Sequence, residues 1–164
     1  FYLPAAAGSV PGPVFPTQRR AAPPVGGTGR ILVMDDEPQV RQVLSDALLA
    51  LGYDPLATND GAEAIAAWRE ARAAGNPFDA LVMDLTVPGG MGGAEAFERI
   101  RAEDPDARAI VSSGYSNDPV VADPRLVGFS GVLPKPWELT DLDGVLMQVL
   151  GRGSPAPDME FTGS

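Results

Sequence analysis

The feature that most constrains this chain is a regular alternation between two hydrophobic periods. Residues 31–34, 78–83, 109–111 and 131–133 are short, nearly unbroken apolar runs, the pattern of strands buried on both faces. Between these runs apolar residues recur at helical spacing. Val40, Val43, Leu44, Ala47, Leu48 and Leu51 mark one helix that Gly52 stops. Asp60 is placed to cap a second, with Ala64, Ile65 and Trp68 on one face. Phe97 and Ile100 follow a glycine-rich turn, and Leu139, Leu142, Val145, Leu146 and Val149 mark a final helix. Residues 53–57 read as a weaker strand, because Pro55 suits only an edge. Residues 116–127 are expected to give a short or irregular helix. Asn117 or Asp118 before Pro119 favours a start, but Pro124 breaks it soon after. Strands alternating with helices predict an α/β domain with a parallel sheet covered on both faces.

Chemistry in such sheets gathers outside the carboxyl ends of the strands. Asp35, Asp36 and Glu37 follow the first strong strand, Asp84 the second, Ser112 and Ser113 the third, and Lys135 the last. All are therefore expected at one rim. Carboxylates crowded there repel one another unless a cation intervenes. Carboxylate oxygens are what magnesium prefers, and magnesium sites are commonly completed by a phosphate oxygen. A lysine and a hydroxyl beside them would complete a pocket for a tetrahedral oxyanion.

Composition narrows the field. The chain has no cysteine and no histidine, which excludes thiolate chemistry, Cys-based zinc sites and a phosphohistidine donor within it. A carboxylate is left as the plausible nucleophile. The formal net charge of -10 argues against nucleic acid and against direct contact with anionic membranes. Of the 12 basic residues only Lys135 is lysine, so a compact ammonium stands where arginine was not used. Residues 1–29 are rich in Pro, Gly and Ala and read as a linker. Residues 151–164 read as a disordered tail, leaving 30–150 as the folded domain. An acidic chain without a membrane-length apolar run is expected in the cytoplasm.

The segments ILVMDDEP, LVMDLTVPGGMGG, AIVSSGYS and VLPKPW resemble, in order and spacing, the signature blocks of response-regulator receiver domains. The resemblance covers about residues 30–150. It implies a flavodoxin-like (βα)5 fold with strand order 2-1-3-4-5 and a phosphorelay role in a two-component system. By that resemblance Asp84 is the phosphorylated residue. Asp36, supported by Asp35, holds Mg2+ (or Mn2+) together with Asp84 and the backbone carbonyl of Thr86. Lys135 contacts the phosphoryl group and precedes a cis Pro136. Ser113 takes the place of the switch hydroxyl, and Thr86 and Tyr115 fall where the family tunes dephosphorylation.

The same resemblance implies a signalling domain that catalyses its own phosphorylation and dephosphorylation rather than an enzyme acting on other substrates. Its partner is a histidine kinase or histidine phosphotransfer domain, in the same polypeptide or another. The DLTVPGGMGG and SSGYS wording resembles receivers fused behind histidine kinases, and the opening FYLP resembles the last strand of a kinase ATP-binding domain. The chain is thus expected to be the C-terminal receiver of a hybrid sensor kinase, whose full-length parent can be membrane-attached. One position departs from the family: Val132 stands three residues before the lysine, where an aromatic is usual. That departure raises an alternative, a degenerate receiver acting as a non-switching binding module. An aspartyl-phosphate phosphatase, with a similar sheet, would want an acidic residue at the position of Thr86.

Overall fold

A computed structural model describes residues 28–114 and 118–151. The expected linker, except residues 28 and 29, and the expected tail beyond residue 151 lie outside the described residues, as do the FYLP opening and Tyr115. Five parallel strands form one sheet in the order β2-β1-β3-β4-β5. They are β1 (Arg30–Met34), β2 (Asp54–Thr58), β3 (Ala80–Asp84), β4 (Ala109–Ser113) and β5 (Gly131–Pro134). The helices are α1 (Pro38–Ala50), α2 (Gly61–Ala73), α3 (Gly93–Glu103), α4 (Pro119–Ala122) and α5 (Leu139–Val149). The weak strand is the edge strand β2, which tolerates Pro55. This is the flavodoxin-like arrangement expected from the sequence.

Side-chain alternation explains why the central runs are apolar throughout. Ile31, Val33, Ala80, Val82, Ile110 and Leu133 fill a layer under α1 and α5 with Leu44, Leu48, Leu142 and Leu146. Leu32, Met34, Leu81, Met83, Ala109 and Val111 fill the opposite layer with Trp68, Phe97, Ile100 and Phe129. Phe97 and Phe129 stack at 4.9 Å between centroids, tying α3 to the segment before β5. Among the described residues no helix is long and apolar enough to cross a membrane.

Local signals fix the helix starts. Asp60 caps α2 by accepting from the Glu63 N–H at 2.9 Å. Asp118 caps α4 by accepting from the Val120 N–H at 2.8 Å. Pro124 ends α4 and opens a single 3-10 turn, Pro124–Leu126, so the helix has 4 residues. Two glycines set the loop after β3. A Cβ at Gly92 would lie 2.2 Å from the Leu85 carbonyl oxygen, and one at Gly93 would lie 2.4 Å from that of Asp84. Both obstacles are backbone, so neither can swing aside. Gly93→Ala is expected to destabilise the domain by about 1–3 kcal/mol, the usual range for overpacking, which denaturant unfolding would measure. It should also displace Asp84, since the contact falls on that residue's own carbonyl.

Candidate functional site

The register brings the carboxyl ends of β1, β3, β4 and β5 to one rim. Asp35 follows β1 and is 1% exposed. Such burial of a carboxylate requires partners. Its Oδ1 accepts from the Glu37 N–H at 2.9 Å. Its Oδ2 accepts from Lys135 Nζ at 3.0 Å. The Asp35 carbonyl accepts from Arg41 Nη1 at 2.7 Å, a contact that anchors the acidic turn to α1.

Asp84 is the last residue of β3 and is buried. Lys135 Nζ lies 3.7 Å from its Oδ2, so one ammonium serves carboxylates from two strands. Carboxylate oxygens of Asp35, Asp36 and Asp84 come within 4.8 Å of one another. Asp36, Glu37, Asp84, Thr86, Pro88, Gly114 and Lys135 line a cavity of about 300 Å³. The Lys135–Pro136 peptide is cis.

The electrostatics follow from this crowding. Burial pushes the Asp84 carboxyl above the usual carboxylate range, and the charges of Asp35 and Asp36 push the same way. Lys135 and the Thr86 backbone N–H pull against them without cancelling the rise. For Lys135, burial disfavours the charged form, but it is outweighed. The hydrogen bond to Asp35 and the charges of Asp84, Asp35 and Glu37 hold the ammonium above the ordinary lysine range. Three carboxylates against one ammonium leave the cluster under-neutralised. That donor set, all hard oxygen, fits a divalent cation such as magnesium.

The remaining positions named from sequence divide. Thr86 lines the cavity and its backbone N–H reaches Asp84. Ser113 ends β4, buried, and its backbone carbonyl accepts from the Lys135 N–H at 3.0 Å. It does not line the cavity; the neighbouring Gly114 does. Val132 lies in β5, half-buried against the α2/α3 layer. Sequence reasoning missed Pro88 and Gly114 as cavity walls and Arg41 as an anchor. Pro88 and Gly114 adjoin Asp84 and Ser113 in the blocks already singled out. Arg41 carried no distinguishing signal.

A partly buried acidic cluster and one lysine at the carboxyl rim of a five-stranded parallel sheet define a flavodoxin-like α/β domain with a polar site at that rim. The chain matches the family model of the response regulator receiver domain over residues 31–146 and belongs to that family. It is 36% identical over 107 residues to a response regulator receiver protein of Anaeromyxobacter sp., covering 65% of this chain and 42% of that protein. It is 30% identical over 128 residues to the sensor kinase CckA of Brucella abortus, covering 78% of this chain and 13% of the kinase. Among solved structures, a chain of the Borrelia burgdorferi CheX–CheY complex with beryllofluoride and magnesium superposes with a TM-score of 0.66. The two are 25% identical, and the match covers 73% of this chain and 87% of that one. The chain spans less than half the length of the Anaeromyxobacter relative it matches.

Proposed function

We propose that Asp84 accepts a phosphoryl group from a phosphohistidine and that the domain passes the signal on by changing conformation. The observation that carries this reading is the placement of Lys135 between Asp35 and Asp84 on the wall of a single cavity. An oxygen of Asp84 attacks phosphorus in line as the phosphorus–nitrogen bond to the donor imidazole breaks. The electron pair of that bond leaves with the imidazole. Lys135 turns from Asp84 toward the transferred oxygens and offsets their charge. The domain contributes positioning and electrostatics, which is what phosphoryl transfer asks of a protein.

Asp35, Asp36, Asp84 and the Thr86 carbonyl would hold a magnesium ion, which would supply charge neutralisation for the phosphoryl oxygens. The fit of the acidic cluster to a hard cation and the magnesium in the Borrelia complex support that assignment. Ser113 serves as the switch hydroxyl, with Thr86 and Tyr115 tuning the reset by hydrolysis. The donor is a histidine kinase or phosphotransfer domain. Similarity to part of a sensor kinase supports a receiver joined to such a kinase. In this reading residues 1–29 are linker, 30–150 receiver and 151–164 tail.

Incubation with acetyl phosphate and Mg2+ tests the reading. Intact mass should show one added phosphoryl group, dependent on the metal and located by peptide mapping at Asp84. No added phosphate, or phosphate at another residue, would overturn it. A second reading, a non-switching binding module, is favoured by Val132 and by the 4-residue α4. Beryllofluoride with Mg2+ separates the two. Amide shifts reaching β5 and α4 favour the switch, and shifts confined to the cavity favour the module.

A further inference from the structure

One buried polar group plays no part in the chemistry above. Ser112, in β4, is 3% exposed, and its Oγ has no hydrogen-bond partner among the described residues. A buried hydroxyl without a partner is rare enough to call for a physical reason. Its neighbours limit what that reason can be. The register pairs Ser112 with Asp84 of β3 on one side and with Leu133 of β5 on the other. Ser112 alternates with Ile110, and Asp84 with Val82, and both partners belong to the layer under α1 and α5. Ser112 and Asp84 therefore share a face. Adjacent strands run about 4.8 Å apart, so their side chains are immediate neighbours.

Leu133 offers no polar atom to the hydroxyl. Asp84 does: an ionised carboxylate has about four acceptor positions. The Thr86 N–H takes one, and Lys135 Nζ stands 3.7 Å away. A serine hydroxyl reaches three staggered wells about χ1, which gives it access to a neighbour across the strand. Ser113, one residue on, points to the opposite layer and is a separate hydroxyl.

We infer that Ser112 is a positioning residue for Asp84, its hydroxyl turning about χ1 to donate to the acceptor's carboxyl group in the phosphorylated state and hastening loss of the phosphoryl group. This rests on Asp84 being the phosphoacceptor. In hydrolysis, water adds to phosphorus and releases a proton to solvent. The bond from phosphorus to the Asp84 oxygen breaks, and its electron pair stays on the carboxylate. A donor that turns onto that carboxyl group in the phosphorylated state stabilises the charge as it develops. Ser112 thereby shortens the phosphorylated state.

The test is the decay of phosphorylated protein after removal of acetyl phosphate, followed by intact mass in Mg2+ for wild type, Ser112→Ala and Ser112→Thr. Ser112→Ala should decay about five-fold more slowly or more, as loss of a hydrogen bond to a charged group implies. Ser112→Thr, which keeps the hydroxyl, should decay at the wild-type rate. The thermal midpoint of Ser112→Ala should not fall, because the hydroxyl it removes has no partner in the resting fold. Equal decay of Ser112→Ala and wild type, or equal slowing in both variants, overturns the inference and leaves the acceptor assignment standing. Failure of wild type to take up phosphate overturns the acceptor assignment itself, and the role of Ser112 with it.

Discussion

Asp84→Asn should take up no phosphate from acetyl phosphate and Mg2+, at least about 100-fold less than wild type, while its metal-free fold becomes the more stable of the two at neutral pH. The first effect follows from the nucleophile: an amide oxygen cannot replace a carboxylate in attacking phosphorus. The second follows from the site's charge. The folded Asp84 carboxyl lies above its unfolded value, chiefly through burial and also through Asp35 and Asp36. Between those two values the folded state binds more protons than the unfolded one, so stability falls as pH rises through the window. The penalty is full above the folded pKa and absent below the ordinary carboxylate pKa of about 3.9. Asparagine carries no such penalty. Metal-free thermal unfolding should therefore show Asp84→Asn with the higher midpoint at pH 7 and a shrinking advantage as the pH is lowered toward about 4. A midpoint lower than wild type at pH 7 would contradict this account. Mg2+ should raise the wild-type midpoint and raise that of Asp84→Asn less, because the variant lacks one of the three clustered carboxylates.

Lys135→Ala should slow phosphate uptake by about 10²–10³-fold, the loss expected on removing one preorganised charge from a transition state. It should also destabilise the metal-free protein. The ammonium is the ion-pair partner of Asp35, whose side chain is 2% exposed, and is near enough to Asp84 to pair with it too. Removing one partner of a fully buried pair costs about 3–5 kcal/mol. Lys135 is 23% exposed and opens onto the cavity, so a smaller loss of about 2 kcal/mol is expected. The sign of its pH dependence is fixed by the raised pKa of Lys135. The pair's contribution is complete below the unfolded lysine value and is lost as pH rises through the higher folded value. The stability difference between wild type and Lys135→Ala should therefore be flat near neutrality and narrow only at strongly alkaline pH. Urea unfolding with and without Mg2+ measures both parts. Mg2+ should recover part of the lost stability, since it supplies positive charge to the same carboxylates.

Much of the fold was legible because hydrophobic period is a local property. The runs at 31–34 and 109–111 lie within strands of 5 residues each, and the edge position of β2 followed from Pro55 alone. The short α4 was legible for the same reason: Pro119 starts a helix and Pro124 ends it. What was not legible is steric. Nothing local distinguishes Gly93, set against the Asp84 carbonyl, from Gly89 in the same block, around which a Cβ would meet nothing within 4 Å. Arg41 is likewise one arginine among many until α1 places its guanidinium on the Asp35 carbonyl.

By itself the sequence determined that Asp35, Asp36, Asp84 and Lys135 would meet, because each follows an apolar run and parallel strands deliver their carboxyl ends to one edge. It also determined that one lysine alone would meet those carboxylates, because the chain has no other. Only the tertiary structure decided how they meet. The register of β3 and β4 pairs Asp84 with Ser112 and leaves Ser113 on the opposite face. The reach of Lys135 across the rim, 100 residues along the chain from Asp35, gives Asp35 its closest cation. Those relations depend on which strands are neighbours and on which face each side chain stands. Both are set by burial across the whole sheet, and no single segment of the chain carries that information.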